Sequence, residues 1–104
     1  MAKYLMAYRG GSMAETDEER AAVMAAWGAW FGSLGSAIVD PGNPFGPSAT
    51  VGGDRSVASG GGAGLTGYSV LSAESLDAAN ELAKSCPVLD NGGTVEVYET
   101  FEVM

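Results

Sequence analysis

Between Gly64 and Pro87 the chain reads GLTGYSVLSAESLDAANELAKSCP, and no other stretch restricts the possible folds so far. Leu65 to Leu71 has the composition of a strand. Ser72 or Ser75 can cap a helix start, Leu76, Ala79, Leu82, Ala83 and Cys86 then fall on one helical face, and Pro87 stops the helix. A strand joined to an amphipathic helix in so few residues is half of an α+β unit, so the rest of the chain must supply the other half.

The first 40 residues supply it. Lys3 to Arg9 alternates Tyr4, Met6 and Tyr8 on one face with Leu5 and Ala7 on the other, so both faces of this strand call for cover. In a chain with two helices, the second cover is expected to be another subunit. Gly10-Gly11-Ser12 breaks the strand. Thr16 followed by Glu19 is a capping box, in which the hydroxyl takes the amide three residues on and the carboxylate returns to the amide of the cap. The helix is therefore expected to start near Asp17. Val23, Trp27, Trp30 and Leu34 recur at helical spacing, with Met24, Phe31 and Ile38 beside them, as a core-facing stripe. Gly28, Gly32 and Gly35 flank it, which is consistent either with close backbone approach or with a weakened helix end.

Ile38 to Pro47 holds three of the four prolines and is expected to be an ordered turn without regular structure. Ala49-Thr50-Val51 is a short strand, Gly52 to Arg55 a turn, and Ser56-Val57-Ala58 a frayed continuation. Ser59 to Gly64 is nearly all glycine, a flexible hairpin or a lid; with no lysine after it and no helix opening there, the phosphate-loop pattern fails. Asn91-Gly92-Gly93 turns into a last strand from Thr94 to Val103, with Val95, Val97, Phe101 and Val103 alternating against Glu96, Tyr98, Thr100 and Glu102. The sum is β-α-β-β-α-β, a ferredoxin-like α+β fold with an antiparallel four-stranded sheet and two helices on one face. At 104 residues and 46% apolar content, a single domain over residues 1–104 is expected.

Charge and residue types narrow the function classes. Five basic against 13 acidic side chains leave a net charge of −8, which repels nucleic-acid and anionic lipid surfaces. No apolar run is long enough to span a bilayer, and the N-terminal residues do not form a signal peptide. The lone Cys86 has no internal disulfide partner and fits a reducing compartment, so a cytoplasmic location is expected. Without any histidine, neither a Ser/His/Asp nor a Cys/His nucleophile can be assembled. Zinc and histidine-held haem lose their usual ligands, so no cofactor or metal is expected.

The remaining candidates for chemistry are few. Asp40, between an apolar strand end and a Pro-Gly turn, could act as a general acid or base if desolvated, or simply hydrogen-bond the backbone of its own turn. Tyr8, Tyr68, Glu96 and Tyr98 could line a pocket, and Arg9 could hold an anionic ligand or pair with Glu96 or Asp40. Trp27 and Trp30 are expected in the core rather than against a ligand. Cys86 is expected to be a small buried hydrophobe.

KYLMAY, WGAWFGSLGSAIVDPGNPF, GLTGYSVLSAESLDAANELA with its CP stop, and TVEVYE together resemble the YCII-related family, including its DGPF branch, over almost the whole chain. The resemblance implies a homodimeric α+β barrel with a small-molecule pocket between the sheets. Some relatives carry a histidine and aspartate pair there, and one branch includes a dehydrochlorinase. Here Trp27 or Trp30 stands near the position of the histidine, Asp40 near that of the aspartate, and Ser59-Gly60-Gly61-Gly62 replaces the DGPF segment. Two functions follow as expectations: a small-molecule-binding module, or a cofactor-independent lyase or isomerase using Asp40.

Overall fold

The structure is a computed structural model that describes residues 2–10, 15–61 and 64–103. The elements in chain order are β1 (Ala2–Arg9), α1 (Asp17–Leu34), β2 (Ile38–Asp40), β3 (Ala49–Val51), β4 (Val57–Ser59), β5 (Leu65–Ala73), α2 (Leu76–Ala83) and β6 (Thr94–Glu99). Short 3-10 turns cover Gly35–Ala37 and Pro87–Asn91. β2, β5, β1 and β6 form one sheet in that order, and β1 is antiparallel to both of its neighbours, as β2 is to β5. This is the ferredoxin-like arrangement, with a separate β3–β4 hairpin inserted between its second and third strands.

Pairing register sorts the side chains by face. Tyr4, Met6 and Tyr8 stand opposite Leu71, Ser69 and Gly67 on one side and Glu99, Val97 and Val95 on the other. This row faces the helices, where Tyr4, Met6, Leu71 and Cys86 are the largest apolar side chains closed off from solvent. Trp30 and Leu34 of α1 and Ala79 and Ala83 of α2 complete the core. Leu5, Ala7, Val70, Tyr68, Glu96 and Tyr98 occupy the opposite, helix-free face.

Both helix starts follow their caps. Thr16 Oγ1 accepts from Glu19 N at 3.1 Å, and Ser75 accepts from Ala78 N at 3.1 Å, which identifies Ser75 rather than Ser72 as the cap of α2. The Glu19 carboxylate reaches the amide of Glu15, not that of Thr16. Within the α1 stripe, Trp30 is 4% exposed and Met24 75% exposed. A Cβ built at Gly28 or Gly32 meets nothing within 4 Å, so neither glycine marks a close approach among the described residues.

Three local expectations need correction. Ile38–Asp40 is the edge strand of the main sheet rather than irregular chain, and its pairing direction continues past a bulge: Phe45 N donates to Thr66 O and Pro44 bridges to Gly67. Prolines are compatible with this because an edge strand needs no ladder donor on its outer side. Ala49–Val51 and Val57–Ser59 pair with each other in the separate hairpin. β6 ends at Glu99, leaving Phe101 and Val103 exposed outside the strand. The Gly10–Ser12 break and the Ser59–Gly64 loop lie partly outside the described residues, at Gly11, Ser12, Gly62 and Ala63.

Candidate functional site

A cavity of about 660 Å³ opens between α1 and the end of the sheet where β1 finishes and β5 begins. Trp27 and Phe31, one helical turn apart on α1, form one wall. Tyr8 of β1 and Gly67 and Ser69 of β5 form the floor, and the bulged segment Pro41–Pro44 forms the far wall. Tyr8 and Trp27 meet edge to face at a centroid distance of 5.1 Å, and Trp27 lies 5.7 Å from Phe31, so the aromatic groups hold one another in position.

Glycines make this packing possible. A Cβ at Gly67 would lie 3.2 Å from Asn43 O and 3.5 Å from Tyr8 Cδ2, so the missing side chain lets the far wall and the tyrosine ring approach the strand. At Gly42, with φ +75°, a Cβ would lie 1.7 Å from Tyr68 O. The bulge therefore rests directly on the β5 backbone.

The polar groups of the floor are joined in a chain. Tyr8 Oη donates to Ser69 Oγ at 2.7 Å, and Ser69 Oγ donates to Pro41 O at 2.7 Å. Thr66 Oγ1 bonds to Tyr8 O at 3.3 Å and Gly10 O at 3.2 Å, filling the irregularity where β1 and β5 slip register. Burial pushes the Tyr8 phenol well above the ordinary tyrosine range, so it stays neutral even in alkaline solution, where an exposed tyrosine ionises. Among the described residues no Lys, Arg, Asp or Glu side chain lines this cavity.

The residues singled out in the sequence fall into three places. Tyr8 is on the floor of the cavity. Asp40 accepts from Gly42 N at 2.9 Å and from the Tyr68 hydroxyl at 3.2 Å, so it caps its own turn and holds a tyrosine, whose ring stacks on Phe45 at 5.8 Å. Arg9 pairs with Glu96 at 2.5 Å across β1 and β6, and Tyr98 donates to the same carboxylate, an interaction that raises its pKa. Tyr68 and Glu96 flank Ala7 from either side on the helix-free face. The structure thus brings Tyr8 and Tyr68 to the lining of one cavity, with Asp40 bonded to Tyr68, and leaves the Arg9–Glu96–Tyr98 cluster outside it.

Trp30 is a core residue whose indole N–H reaches Leu82 O and Ser85 Oγ, whereas Trp27 lines the cavity. Phe31, Ser69 and the far-wall segment were not singled out. Ser69 had a readable signal: it shares strand parity with Gly67, Leu71 and Ala73, and a polar residue on a buried face is the informative exception. Cys86 is buried, and its thiol is pushed up to about 11 by that burial.

Among the described residues no helix is long and apolar enough to cross a membrane, and no group of three or more His, Cys, Asp or Glu lies together to hold a metal. No curated protein matches the chain. The family model of the YCII-related domain matches residues 2–104. With the match running through every strand of the sheet and every wall of the cavity, the chain belongs to the YCII-related domain family.

Proposed function

We propose that this protein is a homodimer that binds a small, uncharged, largely apolar molecule in the cavity between α1 and the sheet. The observation that carries the reading is the cavity itself. Its volume of about 660 Å³ falls in the range of small-molecule sites, and aromatic walls with a few fixed polar groups are the usual makeup of such sites. Its floor carries no charged side chain among the described residues. The dimer is supported by a sheet whose second face has no covering layer among the described residues, since sheets with apolar residues on both faces bury both.

Binding is tested by following backbone and indole amide resonances while titrating indole as an uncharged aromatic probe. Shifts confined to Trp27, Gly67 and Ser69 are expected. Gly28→Leu places a side chain into open space beside the cavity and should abolish them while the protein stays folded. Shifts that persist in this variant overturn the assignment.

One observation favours a second reading. The Tyr68 hydroxyl bonded to Asp40 at 3.2 Å joins an acid to a proton donor on the face where a partner sheet would lie, as a cofactor-independent lyase or isomerase could use. Asp40→Asn then abolishes turnover, whereas a binding module keeps its ligand affinity within a few-fold.

A further inference from the structure

The hydrogen bonds at the cavity floor have a direction fixed from one end. Pro41 O is a carbonyl and has no hydrogen to give, so Ser69 Oγ, 2.7 Å away, must donate to it. Ser69 has one hydroxyl hydrogen, and its 2.7 Å contact with Tyr8 must therefore use the Tyr8 hydrogen. The two neighbours of Thr66 Oγ1 are likewise carbonyls, so its hydrogen is also committed. Among the described residues four that carry hydroxyls line the cavity, the fourth being Tyr68, whose hydroxyl donates to Asp40, so all four hydrogens are spent on protein acceptors. What they retain toward a ligand is lone pairs.

Burial makes this polarity consequential. Ser69 is 0% exposed and only fixes the direction of the Tyr8 bond, whereas Tyr8, 5% exposed, is the hydroxyl a ligand can reach, and a ligand group facing it has little water to bond instead. Among the described residues, the lining side-chain N–H groups that keep a free hydrogen sit on half-buried or exposed residues: Trp27, Asn43 and Asn91. The nearest arginine on β1, Arg9, pairs with Glu96. We infer that the Tyr8–Ser69 end of the cavity selects uncharged aromatic molecules that donate a hydrogen bond, from a hydroxyl or a ring N–H, and rejects carboxylates. This rests on the cavity being a ligand site. A buried acceptor discriminates strongly against an analogue that presents another acceptor, because two lone pairs then face each other without water.

The experiment compares indole with its isostere benzofuran, which has a ring oxygen in place of the N–H, and with indole-3-carboxylate, each titrated into the intact protein by amide and indole NMR. Indole is expected to bind about fivefold tighter than benzofuran, the worth of one net hydrogen bond, and the carboxylate more weakly than either. Tyr8→Phe should bring indole down to the affinity of benzofuran. Ser69→Ala frees the Tyr8 hydrogen and should instead improve benzofuran, an effect that general loosening of the site would not produce. Benzofuran equal to or tighter than indole in the parent protein, or a carboxylate that binds as well as indole, overturns the inference and leaves the cavity a ligand site. Binding of none of the three overturns the ligand site and the inference together.

Discussion

Gly42 is the residue whose replacement this fold should tolerate least. Its φ of +75° already disfavours an L side chain, and the added Cβ would lie 1.7 Å from Tyr68 O, a backbone atom that a rotamer change cannot move. Gly42→Ala should therefore cost about 3 kcal/mol or more, read as a fall in the urea midpoint, with the cavity's far wall displaced. The Gly42→Ala protein retaining the parent midpoint would mean that the bulge does not rest on β5. Titration at Cys86 gives a second test. Burial raises its pKa to about 11, so the unfolded chain ionises first, near the ordinary thiol value. The stability this contributes is present below about pH 9 and is lost as pH climbs toward about 11, by an amount on the order of 2–3 kcal/mol. Melting at pH 8 and at about pH 10.5 should thus show a larger drop for the parent than for Cys86→Ala; equal drops would exclude a buried neutral thiol. The local half of the Asp40 geometry was legible, because an Asp before Pro-Gly commonly bonds its own turn. Its Tyr68 partner was not, since that contact spans 28 positions and depends on the register between β2 and β5.

At the scale of elements, reading was most secure where one signal decided the outcome. Thr16 and Ser75 start their helices through side-chain caps, and the parity of β1 orders both faces of the sheet. It failed where proline was given too much weight: Pro41, Pro44 and Pro47 argue against a central strand, but Ile38–Asp40 is an edge strand, where a proline costs no ladder bond. The same misreading moved the second sheet strand to Ala49–Val51, which belongs to a hairpin whose strand residues are all exposed. Along α1 the glycine flank left two readings open, and the space around it separates them. Gly32 is exposed within the helix and a Cβ there meets nothing within 4 Å. Gly32→Ala should accordingly stabilise the protein by about 1 kcal/mol through helix propensity and a less flexible unfolded chain, measured as a rise in melting temperature. A fall instead would mean that this flank is covered by another copy of the chain.

The whole molecule is flat. Its extents are 44 × 40 × 18 Å and its radius of gyration is 15.2 Å, against about 13 Å for a compact chain of this length. Part of the excess is the exposed β3–β4 hairpin, where Val51 and Val57 are 66% and 68% exposed. The thin dimension reflects one helix layer on one side of the sheet, with Leu5, Val70 and Tyr98 on the other side. The apolar character of the second face was legible in β1, whose residues are apolar on both parities. A second copy meeting the helix-free face would cover these residues, but it would also bring together two bodies of charge −8. Their repulsion acts over the Debye length and is screened by salt, while burial of the apolar rows is not. Self-association should therefore tighten as sodium chloride rises from about 0.02 to 0.5 M, the opposite of an interface built on opposite charges. Light scattering at micromolar concentration is expected to give twice the chain mass, with the dissociation constant falling as salt increases. Leu5→Asp, set in the row between Val70 and Tyr98, should return the protein to a monomer while its helix-side core and cavity remain intact. A parent protein that is monomeric at every salt concentration would remove the dimer and leave the cavity as the site of a single chain.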